Sequence, residues 1–277
     1  MHDHGGGGGG VPWAVVLPAA GVLLLAAAYL LLVRAGTGGG GRRHPRLRTA
    51  SFLTGCALLA AALLPPVAPF AHHDFRGHML QHLLIGMYAP LALVLGAPVT
   101  VLLRALPAAR ARRLTAVLRS RPAALLAHPV TALVLTTGGL GVLYFTPLYD
   151  ATAAHPGLHW LVHAHFLASG CLFAWAIAGP DPAPARPGVP ARLLVLGAAI
   201  AGHAVLSQLM YGGFLVDMQA PVAQLQGAAE IMYYGGDIAE LLLAAALVAT
   251  WRPTASTRGV SLLGPRARGR TRHESTP

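Results

Sequence analysis

The sequence predicts an all-α fold: a polytopic membrane bundle of seven transmembrane helices, N-terminus outside and C-terminus cytoplasmic. Three observations lead there. Of the 277 residues, 55% are hydrophobic and only 10% charged, whereas soluble domains carry about 25% charged residues. The apolar residues gather into seven stretches, each near or above the roughly 20 residues that cross a bilayer. All twenty basic residues are arginines, and nineteen of them fall in alternate connections or in the C-terminal tail. That split is a strong positive-inside signal.

Taken in order, the expected spans are 13–33, 49–69, 78–103, 128–149, 158–178, 191–213 and 228–250. Arg34, Arg42, Arg43, Arg46 and Arg48 separate the first two and put that connection in the cytoplasm. The third span holds Pro90 and Pro98, which should kink or break it. The segment 106–121 (LPAARARRLTAVLRSR) reads as a basic amphipathic helix on the cytoplasmic face. In the fourth span, Gly138, Gly139 and Gly141 allow close helix packing. Arg186 and Arg192 place the connection after the fifth span inside, and six arginines follow the seventh. Only Arg76 lies on the outer side. Residues 1–12 read as a flexible extracytoplasmic tail, 13–251 as the membrane domain, and 252–277 as a basic disordered tail. The first ten residues have no positive n-region, so no cleavable signal peptide is expected.

The net charge of +11 orients the protein and attracts anionic lipid; it requires no nucleic acid. Cys56 and Cys171 lie inside spans, form no CxxC pair, and read as small buried hydrophobes. With no lysine there is no retinal Schiff base. No Ser or Cys sits in a nucleophile motif such as G-x-S-x-G, so hydrolase chemistry is not expected, and the chain is read as a non-enzyme.

The fourteen histidines carry the chemistry. His44, His128 and His273 fall on the cytoplasmic side and the other eleven outside or in outer span halves. His78/His82 open one span and His159/His163 open another, each at i, i+4, which puts both imidazoles on one helix face. Ionisable groups at membrane depth are costly and usually functional. His203 lies in the outer half of the sixth span. The seventh carries Glu230, Tyr233, Asp237 and Glu240 on one face, and Asp237 should find an imidazole of His82, His163 or His203 as its partner. Met79, Met87, Met210, Met218 and Met232 lie in the same half. Thioether with imidazole suits Cu(I); imidazole alone equally suits Zn, Cu(II) or haem iron. The expected metal ligands are His78, His82, His159, His163, His203, Asp237, Met79 and Met210. The bland readings stand beside these: interhelical hydrogen bonding for the pairs, core filling for the methionines, and interfacial placement for His72, His73 and His155.

His78-Met79-Leu80-Gln81-His82, followed by Ala89-Pro90 and Gly96-Ala97-Pro98, resembles the opening signature of the multi-span CtaG-type cytochrome c oxidase assembly factors. A second block fits as well: His128-Pro129, Pro147-Leu148-Tyr149-Asp150, His159, His163, Phe173-Ala174-Trp175 and Gly179-Pro180-Asp181-Pro182. The likeness covers about residues 50–250. It departs from the family where a Gln-Gln-x-Gly-Gly element with a tryptophan is expected, since 224–237 here reads QLQGAAEIMYYGGD, as in a divergent subgroup. The resemblance implies a multi-pass bacterial plasma-membrane protein that helps mature a haem–copper oxidase, with oxidase subunits as partners and copper as the metal handled. A copper transporter and a haem-b electron carrier, the latter ligated by His82 or His163 with His203, are the competing expectations.

Overall fold

The computed structural model describes residues 13–37, 44–183, 186–216 and 220–251. The expected tails, 1–12 and 252–277, lie outside these. Within them the chain is helical: α1 (Trp13–Thr37), α2 (Arg46–Leu63), α3 (Val67–His73), α4 (Phe75–Leu95), α5 (Pro98–Ala105), α6 (Ala108–Leu118), α7 (Arg121–Leu126), α8 (Pro129–Tyr144), α9 (Leu148–Ala154), α10 (Pro156–Ala178), α11 (Val189–Tyr211) and α12 (Val222–Thr250). Six of these, α1, α2, α4, α10, α11 and α12, are long and apolar enough to cross a membrane.

The other expected span corresponds to the shorter apolar helix α8. It is roughly 24 Å long at 1.5 Å per residue, a little under the ~30 Å hydrocarbon core. It nevertheless runs the length of the bundle. Ala132, near its start, packs in one cluster with Ile177 and Leu247, and Tyr144, at its end, packs in another with Phe75 and Met79. The chain then leaves at Phe145 and forms α9, so the helix stops short of the expected 149.

Two expected boundaries also move. The second helix stops at Leu63, before Pro65 and Pro66, and α3 covers the remainder. The third ends at Leu95, because Ala97 turns left-handed at φ 55° and Pro98 opens α5. Pro90 does not break α4. Its missing N–H leaves the Gly86 carbonyl without its usual donor, and the helix absorbs this in a widened turn over Leu84–Tyr88. A matching wide turn, Val134–Gly138, lies in α8. Such turns recur at functional sites.

The two ends of the bundle differ chemically. At one end, Gly36 abuts Arg104, and Tyr29 donates to the Gly96 carbonyl at 2.8 Å while pairing with His44 at 3.0 Å. There Asp181, which is 2% exposed, accepts hydrogen bonds from the backbone N–H groups of Val99 (3.0 Å) and Thr100 (2.8 Å) and from the Thr100 hydroxyl. It therefore caps α5 from a distant part of the chain. Arg186 donates to the carbonyls of Gly179 and Trp175, and Arg192 to that of Ile177, so both cap the C-terminus of α10. The described arginines of three connections meet at this end. The opposite end gathers the histidines. Phe75 N–H donates to Gln224, Gly227 faces Arg76, and His72 meets His159.

Candidate functional site

At the histidine end, Asp74 caps α4 by accepting the Arg76 N–H, and this starts the helix just before His78. His155 precedes Pro156, which opens α10 just before His159. The two i, i+4 pairs thus stand at the starts of adjacent parallel helices. They do not share one pocket, however. The structure divides the expected constellation into an outer cleft and an interior cavity.

The outer cleft is about 500 Å³ and is lined by His72, His73, His159, His163, Gln81 and Trp160, among others. The His72 and His159 rings lie 5.5 Å apart, and those of His159 and His163 4.2 Å apart. His163 Nδ1 is buried and has no hydrogen-bond partner. His78 lies deeper. Its ring stacks on Phe75 at 5.7 Å and meets the edge of Tyr149 at 5.0 Å, and its Nε2 is buried and unpartnered. A buried imidazole nitrogen without a partner is costly. Two such nitrogens, His78 Nε2 and His163 Nδ1, lie at this end among the described residues.

The interior cavity is about 40 Å³, enough for two or three water-sized bodies. His82, Met87, His203 and Glu240 line it, with Phe166, Leu140 and Leu243 among its apolar walls. His203 Nδ1 lies 2.6 Å from Glu240 Oε1, in a pair that is almost wholly buried. Glu240 Oε2 is buried without a partner. His82 lines this cavity, and its ring packs edge-on against Phe166 at 4.4 Å and meets the Tyr144 ring at 6.3 Å.

The acid that meets an imidazole is Glu240, one turn beyond Asp237 on the same face. Asp237 is half-buried and has no hydrogen bond or ion pair among the described residues. Met79 and Met210 lie fully buried in the apolar core around Tyr144, with the Tyr144 hydroxyl 4.0 Å from the Met79 sulfur, and they line neither compartment. Other histidines are occupied structurally. His128 caps α8 by accepting the Val130 N–H, and His165 bonds the Leu135 carbonyl beside the wide turn of α8. As the side chains stand, no three His, Cys, Asp or Glu groups among the described residues converge to hold a metal. The residues that sequence reasoning left aside are His72 and His73, which the cleft recruits, and Met87, which the cavity recruits.

A family model described as cytochrome c oxidase caa3 assembly factor matches residues 27–254. The chain belongs to this family. Uncharacterized proteins of Mycobacterium bovis (Mb0105) and Mycobacterium tuberculosis (MT0111) are each 40% identical to it over 164 residues, or 57% of this chain and 25% of theirs. One from Mycobacterium leprae (ML1998) is 38% identical over the same length. The chain thus matches about a quarter of the length of these curated relatives. No solved structure matches.

Proposed function

We propose that this protein matures a haem–copper oxidase in the bacterial plasma membrane by holding copper as cargo, and that it acts as an assembly factor and not as an enzyme. In this reading the chain crosses the bilayer seven times, with α8 as the fourth crossing. The arginine end lies in the cytoplasm and the histidine end outside. The run of α8 along the whole bundle supports the crossing. The positive-inside rule supports the orientation, because it puts the arginine connections on one side only if α8 crosses.

The observation that carries the proposal is the outer cleft: four histidines around one space, with a fifth, His78, buried behind it and unpartnered at Nε2. Neutral imidazole binds soft and borderline metals, copper included. A site that releases its ion to another protein needs ligands near the surface, and His72, His73 and His159 are there. Hydrolytic or carboxylate-rich hard-ion chemistry finds no comparable donor set in the cleft.

Metal analysis of the detergent-purified protein beside a His159→Ala/His163→Ala double variant, which removes two of the cleft imidazoles, tests this. The expected result is copper in the native protein and much less in the variant. Equal copper content in both defeats the ligand assignment. If cellular oxidase activity falls while the metal content holds, the cleft histidines serve assembly as a scaffold and do not hold the metal.

A further inference from the structure

We infer that His82, His203 and Met87 form an interior Cu(I) site, distinct from the outer cleft, in which Glu240 is a positioning residue for His203. The inference rests on the copper-handling reading above and deepens it.

The donor set comes first. Two imidazoles and one thioether, from α4 and α11, face a single cavity of about 40 Å³. Mixed thioether and imidazole ligation favours Cu(I) over harder ions. Cu(I) also accepts two or three ligands, so the absence of a third convergent His, Cys, Asp or Glu does not count against it.

The tautomer comes next. With Glu240 ionised, a carboxylate that only accepts, the 2.6 Å contact between His203 Nδ1 and Glu240 Oε1 has the ring proton on Nδ1. That leaves the Nε2 lone pair free on a residue that lines the cavity. A carboxylate behind a ligating imidazole is the recurrent arrangement that fixes ring orientation and raises basicity.

Charge selects the ion. Glu240 is 1% exposed and its Oε2 has no partner. A carboxylate at this depth calls for one compensating positive charge. A monovalent ion on His203 and His82 supplies it and leaves the pocket neutral, whereas a divalent ion leaves one charge uncompensated among Phe166, Leu140 and Leu243. The cavity admits a bare ion held by these ligands.

The test titrates the purified full chain in detergent with Cu(I), anaerobically, against a chromophoric Cu(I) chelator, and records X-ray absorption at the copper edge. The set comprises His203→Asn, Met87→Leu, Glu240→Gln and an outer-cleft variant, His72→Ala/His159→Ala. His203→Asn should lose one Cu(I) equivalent that the outer-cleft variant retains. Glu240→Gln should keep that equivalent with affinity weakened about 10–100-fold. Met87→Leu conserves volume and should keep the fold while removing sulfur from the copper scattering. Wild-type stoichiometry and affinity in His203→Asn, or unchanged sulfur scattering in Met87→Leu, overturns the site. Interior binding alongside normal oxidase copper in a strain lacking the gene would overturn the assembly reading and leave the site standing. Copper-poor oxidase in that strain with no interior binding does the opposite.

Discussion

At the scale of single residues, two glycines on facing helices set how α4 meets α10. A Cβ built at Gly170 would lie 2.0 Å from the Gly86 carbonyl oxygen, a backbone atom that cannot swing aside. Gly170→Ala should therefore force the helices apart and destabilise the protein by about 1–3 kcal/mol, seen as a lower unfolding temperature in detergent. Gly86→Ala differs, since its Cβ would meet the His82 ring at 3.5 Å, an ordinary contact. It should fold normally and crowd the interior cavity. Equal melting temperatures for the two variants would contradict this packing. Asp74 shows the electrostatics of an exposed cap. The Arg76 guanidinium, 2.5 Å away, and the Arg76 N–H hold its carboxyl below the usual carboxylate range. A depressed folded-state value means that the cap's contribution is fully present above the unfolded pKa, about 3.9, and is lost as pH falls through the lower folded one. Asp74→Asn should thus differ in stability from the native protein at pH 7, with the difference shrinking in acid. A gap that persists at the lowest pH would point to another cause.

At the scale of elements, the least continuous helices are the informative ones. α4 carries His78, His82 and Met87, a proline, and a wide turn between Leu84 and Tyr88. The wide turn lets Pro90 stay within the helix, and it lies between His82 and the rest of the span. The break after Leu95 is held by Asp181, which caps α5 through three hydrogen bonds from across the bundle. Asp181→Ala removes all three acceptor contacts. The loss should cost about 2 kcal/mol or more, given the usual worth of a helix cap and of hydrogen bonds to a charged group. Thermal unfolding reads the effect, and proteolysis between α4 and α6 locates it. An unchanged melting temperature would show that the cap is redundant. α6 and α7 have no buried residues, in keeping with a basic helix that lies on a surface.

At the scale of the whole molecule, the separation of arginine and histidine to opposite ends makes orientation testable. A green fluorescent protein fused at the C-terminus should fluoresce, and alkaline phosphatase fused there should be inactive. The reverse pattern would invert the topology and place the histidine cleft in the cytoplasm. Much of this was legible in the chain itself. Apolar length located the six long helices, because the bilayer imposes one length on every crossing. Spacing placed His78 with His82 and His159 with His163 on single helix faces, because a helix repeats every 3.6 residues. Three things were decided only by the fold. Asp237 and Glu240 share a face in sequence, and packing against α11 alone determines that Glu240 meets His203. Met79, Met87 and Met210 are chemically alike in the sequence, but helix rotation buries Met79 and Met210 in the core and turns Met87 to the cavity. The histidines read as one cluster and fold into two compartments. Local periodicity states which residues share a face of one helix, whereas the depth and rotation of each helix against its neighbours are set by close packing, such as that of Gly170 on Gly86, between residues far apart in the chain.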